Sequence, residues 1–215
     1  MNPLPLTGYI QREKTILDLC KGKRVLHLGC IGWTDLPVEM KMELANASFH
    51  ATLSKVCDCT GIDIDAVGIR ELHERSLFKN VEFGNAEHLE GEPVYDLIVA
   101  GDIIEHLSNP GLMLESAKKV LKPGGSFIIS TPNLFALPAY LRMLTGRYHE
   151  GAQHTFMFNS ILIQQLLERH GWHVAAAHAC YQSRSESSPL FPLFSSVFRL
   201  FPKLAGTMLI VADRP

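Results

Sequence analysis

Two hydrophobic periods alternate along this chain. Runs in which almost every position is apolar, such as residues 25–28 and 97–100, have the length of buried strands. Between such runs, apolar residues recur every three or four positions, as Met113, Ala117 and Val120 do, which is typical of amphipathic helices. This alternation of strand and helix predicts a parallel sheet that is covered by helices on both faces.

The predicted elements follow one another without a clear linker or internal repeat. Strands are predicted at 24–29, 57–63, 94–102, 126–131, 172–181 and 207–213, and the stretch 80–89 is predicted to contain a short strand, the third in chain order. Helices are predicted at 9–22, 35–55, 66–78, 109–121 and 159–171. Asn109 or Ser108 is expected to cap the fourth of these helices, and Pro110 suits its first turn.

Polar or glycine residues follow each of the first four strands. Gly29, Asp63, Asn85 and Asp102 occupy these positions. Right-handed crossovers bring the carboxyl ends of parallel strands to one edge of a sheet, which is where ligands of open α/β sheets bind. We therefore expect these residues to lie along a common ligand-binding edge.

Composition narrows the class of protein. The chain has 215 residues, is 47% hydrophobic and 20% charged, and carries a net charge of −2, which suits a single globular domain over 1–215. Without a dense Lys/Arg cluster, no nucleic-acid partner is expected. No apolar run reaches transmembrane length, and the first residues lack the profile of a secretory signal. The five scattered cysteines indicate neither a disulfide framework nor a metal pair, so a reducing, cytoplasmic location is expected.

Residues 9–182 resemble the class I S-adenosylmethionine-dependent methyltransferases. The resemblance is carried by "HLGCIGW", "GIDID", "GNAEHL", "YDLIVAGDIIEHLSNPG", "LKPGGSFIISTPN" and "HTFMFNSILIQQLLERHGWHV". The last three are most similar to the branch that contains ubiquinone-type O-methyltransferases, and to uncharacterised methyltransferases near glycan or lipid pathways. It implies an α/β, Rossmann-like, doubly wound sheet of seven mostly parallel strands with an antiparallel last strand. It also implies S-adenosyl-L-methionine as the cofactor and a small-molecule, glycan or lipid-linked acceptor.

The resemblance assigns parts of the cofactor to the strand ends. The first loop is expected to wrap the methionine part, with exposed N–H groups near Gly29 meeting its carboxylate. Asp63 is expected to hold the ribose hydroxyls, and Asn85 the adenine. The alternative is that Asp63 is a turn carboxylate that caps the following helix and that Asn85 is an ordinary turn residue. The full expected lining is Gly29, Cys30, Gly32, Asp63, Ile64, Asn85, Ala86 and Gly101.

The first loop departs from the family pattern. His27 stands where relatives carry an acid that helps to place the cofactor's ammonium group, and Ile31 and Trp33 replace glycines. A neutral imidazole can accept a hydrogen bond there, whereas a protonated one would repel that cation. One alternative is therefore a non-catalytic relative that acts as a scaffold or regulator. A nicotinamide-dependent oxidoreductase fits the sheet but lacks G-x-G-x-x-G after the first strand.

Glu105 and His106 are the catalytic candidates, because they follow the fourth strand and would lie beside the methyl group. His106 is the expected general base, since its ordinary pKa is near neutrality. The alternative is that both residues only brace the next helix. Asp102, Glu105, His106 and His154 also resemble the ligand set of metal-dependent relatives, but no metal is assigned here.

The segment 183–205 is an aromatic insert, and Phe194, Val197, Phe198 and Phe201 share one helical face. It is expected to pack on the sheet, to cover the acceptor as a lid, to form a homodimer contact, or to touch a membrane peripherally.

Overall fold

The computed structural model describes residues 3–32, 36–147, 151 and 153–215, so the substitution at Trp33 lies outside the described residues. The strands are β1 (Thr7–Gln11), β2 (Arg24–Leu28), β3 (Asp58–Asp63), β4 (Val81–Phe83), β5 (Tyr95–Gly101), β6 (Leu121–Pro132), β7 (His173–Tyr181) and β8 (Thr207–Asp213). The α-helices are α1 (Arg12–Cys20), α2 (Val38–Ala45), α3 (Phe49–Leu53), α4 (Ala66–Glu74), α5 (Pro110–Val120), α6 (Leu137–Leu144), α7 (Ser160–Arg169) and α8 (Phe191–Leu200).

The strands form one sheet in the order β1-β7-β8-β6-β5-β2-β3-β4. Strand β8 pairs antiparallel with both β6 and β7, and the remaining ladders are parallel. The predicted mostly parallel sheet with an antiparallel last strand is thus confirmed.

In the described part of the chain the sheet has eight strands instead of the predicted seven. The added strand is β1, which pairs with the edge of β7, so that Tyr9 and Gln11 lie opposite Ala179 and Tyr181. The sequence predicted a helix from residue 9, but helical structure begins only at Arg12, after Gln11 caps it by accepting a hydrogen bond from the Lys14 N–H. Strand pairing with a distant segment outweighs the local helical period here.

The predicted helix over 35–55 is also corrected, because the chain forms α2 and α3 with a break between them. The Ser48 side chain accepts a hydrogen bond from the Ala51 N–H at 3.1 Å and so starts α3 as a new helix. This local side-chain bond competes with continuation of the preceding helix.

Helices cover both faces of the sheet, as predicted. On one face, Leu26, Ile98 and Phe127 pack against Met113 of α5 and Ile163 of α7. Alternate strand positions point to the other face, where Val25, Val99 and Ile128 form a second cluster with residues of α1 and α3. No helix among the described residues has both the length and the apolar character that crossing a bilayer requires.

The order β5-β2-β3-β4 makes the four predicted strand ends neighbours. The candidate residues after these strands therefore share one edge of the sheet, which is the expected ligand-binding edge.

Candidate functional site

The first loop leaves β2 through Gly29, whose φ of +68° is accessible to glycine but costly for other residues. A Cβ at this position would also lie 3.2 Å from Ile103 Cδ1. Gly32 has a φ of +58° and open space around it, so the loop turns a second time there. Both glycines thus hold the loop in backbone conformations that other residues adopt only at a cost.

The expectation that exposed N–H groups near Gly29 meet the cofactor is wrong for three consecutive residues. The N–H groups of Gly29 and Cys30 donate to the Ile62 carbonyl at 2.9 and 3.4 Å. The Ile31 N–H donates to Asp63 Oδ2 at 2.9 Å. These donors hold the loop against β3, so a ligand carboxylate near the loop needs other partners.

The side chains of Cys30 and Ile31 point into the protein. Ile31 packs with the cluster between α2 and α4, and a Cβ at Gly68 of α4 would lie 3.2 Å from Ile31 Cδ1. Cys30 is buried beside Gly61 of β3. The replacement of a glycine by Ile31 is therefore accommodated in the helix layer. Cys30 can line a cofactor only through its main chain.

Asp63 ends β3 and is buried. One carboxylate oxygen accepts the Ile31 N–H, and the other accepts the Asp65 N–H at 3.1 Å. Each oxygen has a second lone-pair direction, so the carboxylate can brace the loop and still accept a diol.

Two large apolar side chains lie exposed at the ends of adjacent strands. Ile64 follows β3 and is 61% exposed, and Phe83 ends β4 and is 66% exposed. In the strand register Phe83 lies opposite Asp63. A flat aromatic base can bury such surfaces. Phe83 was missed by the sequence analysis, although an aromatic residue directly before the Gly84–Asn85 turn was a usable signal.

Asn85 behaves as a turn residue in this structure, because its Oδ1 accepts the Glu87 N–H at 2.9 Å. Its side chain is exposed, so its amide group still faces solvent at the sheet edge. Ala86 is buried, and its carbonyl accepts the Ser116 hydroxyl of α5 at 2.8 Å.

At Gly101, a Cβ would lie 3.7 Å from Ser130 Oγ, an ordinary contact, so this glycine is not sterically required.

His27 does not occupy the place of the missing acid. Its ring is buried in β2, with Nδ1 3.3 Å from the Nδ1 of His50 and an edge-to-face contact with Phe49. Burial, with a smaller contribution from His50, lowers the pKa of His27 to about 3. Burial likewise lowers the pKa of His50 to about 4. Both rings are neutral near pH 7, so His27 does not repel a bound cation.

Asp102 has hydrogen-bonding partners of its own, and it is not among the residues whose ligand atoms converge, which are Glu105, His106 and His154. It forms an ion pair with Arg12, and it accepts hydrogen bonds from Ser130 Oγ at 3.0 Å and Gln182 Nε2 at 3.1 Å. Its backbone φ is +52°, which is uncommon outside glycine. The four-residue metal set considered from the sequence is therefore wrong in this member.

Glu105 is a buried carboxyl group, only 1% exposed. Its Oε2 accepts the Thr131 hydroxyl at 3.0 Å, whereas its Oε1 has no hydrogen-bond partner among the described residues. Burial, reinforced by the charge of Asp102, raises the pKa of Glu105 to about 8. Near neutral pH the group is therefore mostly protonated and is a poor proton acceptor.

His106 is the exposed neighbour of Glu105, and its ring lies 4.7 Å from the His154 ring, centroid to centroid. One ligand atom each from Glu105, His106 and His154 lies within 4.8 Å of the other two. Helix α5 is capped instead by Asn109 Oδ1, which accepts the Gly111 N–H at 3.1 Å. Capping of that helix therefore does not explain Glu105 and His106.

Comparisons with known proteins identify the family and the fold of this chain. A family model described as a methyltransferase domain matches residues 3–177. A ubiquinone biosynthesis O-methyltransferase of Pectobacterium carotovorum is 28% identical over 154 residues, which are 69% of this chain and 57% of that protein. A protein of the same name from Paraburkholderia phymatum is 35% identical over 118 residues, 52% of this chain and 45% of that protein. The chain thus spans about half the length of these curated relatives.

Among solved structures, an SAM-dependent methyltransferase from Aquifex aeolicus superposes with a TM-score of 0.59 at 16% identity, over 96% of this chain and 91% of that one. At this identity the likeness shows the fold alone.

Proposed function

The chain belongs to the methyltransferase-domain family, and from this premise we propose that it is an S-adenosylmethionine-dependent enzyme. The atom that it methylates is, in this proposal, an oxygen of an apolar small-molecule or lipid-linked acceptor. The observation that carries this is the placement of His106 and Glu105 directly after β5, beside the strand ends assigned to the cofactor. The curated relatives, which are O-methyltransferases of ubiquinone biosynthesis, favour oxygen as the accepting atom.

The residues at the sheet edge fit the cofactor. Asp63 retains lone pairs for the ribose hydroxyls, and Ile64 and Phe83 offer exposed apolar surface to the adenine. The side-chain amide of Asn85 can donate a hydrogen bond to the adenine. The backbone turns at Gly29 and Gly32 would lie beside the amino-acid tail of the cofactor. When bound, the cofactor supplies an electrophilic methyl group on a sulfonium.

Within this chain His106 is the group that can take the proton of an acceptor hydroxyl. It is exposed, whereas the neighbouring Glu105 is buried and its raised pKa keeps it protonated. The Glu105 main-chain carbonyl instead accepts the Thr155 and Phe156 N–H groups at 2.8 and 3.1 Å, which holds the segment containing His154 over the strand ends. Glu105 thus positions the site, and His106 acts on the acceptor.

The surface near this edge favours an apolar acceptor over a glycan. Helix α6 follows β6 and α8 follows β7, so both are inserted at the same side of the sheet, and Leu137 packs with the cluster around Phe198. Their outer faces expose apolar side chains, with Leu144 at 79% and Leu200 at 76%. Neither helix contains an acidic residue. This apolar, weakly basic surface suits a lipid-like tail or contact with a membrane that carries it.

The acceptor class can be tested by methyl transfer from labelled S-adenosylmethionine. We expect transfer to a phenol that carries an isoprenoid chain, slower transfer to the same phenol without the chain, and none to the corresponding aniline. Transfer to the aniline alone would contradict an oxygen acceptor. Equal rates for the two phenols would contradict a role of the isoprenoid chain in acceptor binding.

Asp63→Ala should weaken binding of S-adenosylhomocysteine by roughly 1–3 kcal/mol, about 5- to 150-fold, because the ribose hydroxyls lose a charged acceptor. Calorimetry measures the affinity directly. Asp65→Ala is the matched control, since Asp65 caps α4 by accepting the Gly68 N–H and pairs with Lys41. It should lower stability with little change in affinity. Absence of any binding by the wild type at millimolar ligand would favour the scaffold alternative.

Divalent-cation assistance is a second candidate, favoured by the converging atoms of Glu105, His106 and His154 and by the unpartnered Glu105 Oε1. A bound ion would supply Lewis acidity at the acceptor oxygen. If this is right, Mn²⁺ or Zn²⁺ should raise the melting temperature by a few degrees, and His154→Asn should remove the shift. The exposed His88→Asn is the control. A shift that persists in His154→Asn would place the ion elsewhere.

A further inference from the structure

We infer that Arg12 and Asp102 hold the amino-acid tail of the cofactor, with Arg12 facing its carboxylate and Asp102 its ammonium group; this rests on the cofactor placement proposed above. The tail of S-adenosylmethionine is a zwitterion. A cation and an anion held side by side are complementary to it in charge.

Among the described residues, four of the groups expected near the tail are occupied or turned away. The N–H groups of Gly29, Cys30 and Ile31 are bonded to β3 or to Asp63. His27, which replaces the usual acid, is neutral and bonded to His50 behind the strand. A further cation and a further anion at the same edge of the sheet would bind the tail in place of these groups.

Arg12 and Asp102 lie at that edge. Arg12 follows the end of β1 and Asp102 follows the end of β5, directly after Gly101. Their partners Ser130 and Gln182 belong to the carboxyl ends of β6 and β7. The pair is thus built from four parallel strand ends beside a predicted cofactor-lining residue. The added strand β1 is what brings Arg12 to this place.

Both members of the pair keep unused hydrogen-bonding capacity. The Arg12 guanidinium donates to Asp102 and Ser130 through Nη1 and to Glu13 through Nη2. Its Nε–H is buried and has no acceptor among the residues that the structure describes. Asp102 Oδ1 accepts the Ser130 hydroxyl and can accept one more donor. A carboxylate drawn to the guanidinium and an ammonium drawn to Oδ1 would use this capacity.

The backbone at Asp102 is strained, and hydrogen bonds hold both members of the Arg12–Asp102 pair in place. Asp102 is held at a positive φ of 52° by the Asp102 N–H bond to the Ser130 carbonyl at 2.9 Å. Glu13 fixes the guanidinium from the other side, because its second oxygen accepts the Ser183 N–H at 2.9 Å. Strained, over-determined backbone of this kind is concentrated at ligand sites.

Three ligands separate the two roles by calorimetry. S-adenosylhomocysteine has the whole tail, decarboxylated S-adenosylmethionine keeps only the ammonium group, and methylthioadenosine has neither. Arg12→Met should weaken S-adenosylhomocysteine about tenfold or more and leave the other two within about twofold. Asp102→Asn, which tolerates the same φ, should weaken the first two ligands and spare methylthioadenosine.

Lys14→Met is the matched control, because Lys14 lies on the same helix in an exposed pair with Asp18. It should leave all three affinities unchanged. Equal weakening of methylthioadenosine by the Arg12 and Asp102 variants would mean that the pair is only a structural tie, and unchanged S-adenosylhomocysteine binding would overturn the inference outright. If the wild type binds none of the three ligands, the proposed cofactor placement itself fails, which is a different result.

Discussion

Replacing His106 by asparagine should lower kcat for methyl transfer by about 100-fold or more and leave the affinity for S-adenosylhomocysteine within about twofold. The physical reason is that His106 is the exposed imidazole beside the end of β5, whereas the adjacent Glu105 is protonated near neutral pH. Asparagine keeps a polar side chain of similar reach but cannot take up a proton. Single-turnover kinetics with the isoprenoid-bearing phenol proposed above separates the chemical step from binding.

His154→Asn discriminates between the two ways in which His106 can act. If His106 is a general base, His154→Asn should reduce kcat much less than His106→Asn, and chelators should have no effect. If both imidazoles hold a divalent cation, the two variants should be similarly impaired and chelation should abolish turnover. Full activity of His106→Asn without added metal would contradict both roles.

When the pH is lowered from 7 to 4.5, the free energy of unfolding should fall less for His27→Gln than for the wild type. The expected difference between the two losses is on the order of 3 kcal/mol. The pKa of His27 is about 3 in the folded protein, against an ordinary value of 6.5. A depressed pKa gives stability that is complete above pH 6.5 and is lost as the pH falls toward the folded-state value. Glutamine is uncharged throughout and removes this loss.

The comparison must be made between variants, because other groups titrate in the same range. His50, with a pKa lowered to about 4, loses stability in the same direction as His27. Glu105 has a pKa raised to about 8, so its contribution to the free energy of unfolding falls as the pH rises, opposite to that of His27. Urea unfolding of wild type, His27→Gln and the exposed control His88→Gln at both pH values isolates the His27 contribution. Parallel pH profiles for wild type and His27→Gln would contradict a buried neutral His27.

The sequence was sufficient for most of the sheet and for the carboxyl-edge candidates. Apolar runs identified the strands of the β5-β2-β3-β4 half, and residues after them marked the edge, because strand pattern and crossover handedness are local or general rules. The sequence-based prediction was wrong at β1, because pairing with β7 makes this segment a strand. It was also wrong at the break between α2 and α3, because the Ser48 side chain accepts the Ala51 N–H and starts a new helix. Both depend on neighbours that the local pattern does not contain.

The candidate site divides in the same way. Residue types and their order along the chain determined by themselves that Asp63, Asn85, Glu105 and His106 would follow parallel strands, because alternation of strands and helices leaves few other topologies. Only the tertiary structure decided what these groups can do, since hydrogen bonding and protonation depend on burial and on partners far away in sequence. It turned Ile31 and His27 inward and protonated Glu105 by desolvation. It also paired Asp102 with Arg12, the first residue of α1, which lies 90 residues earlier in the chain.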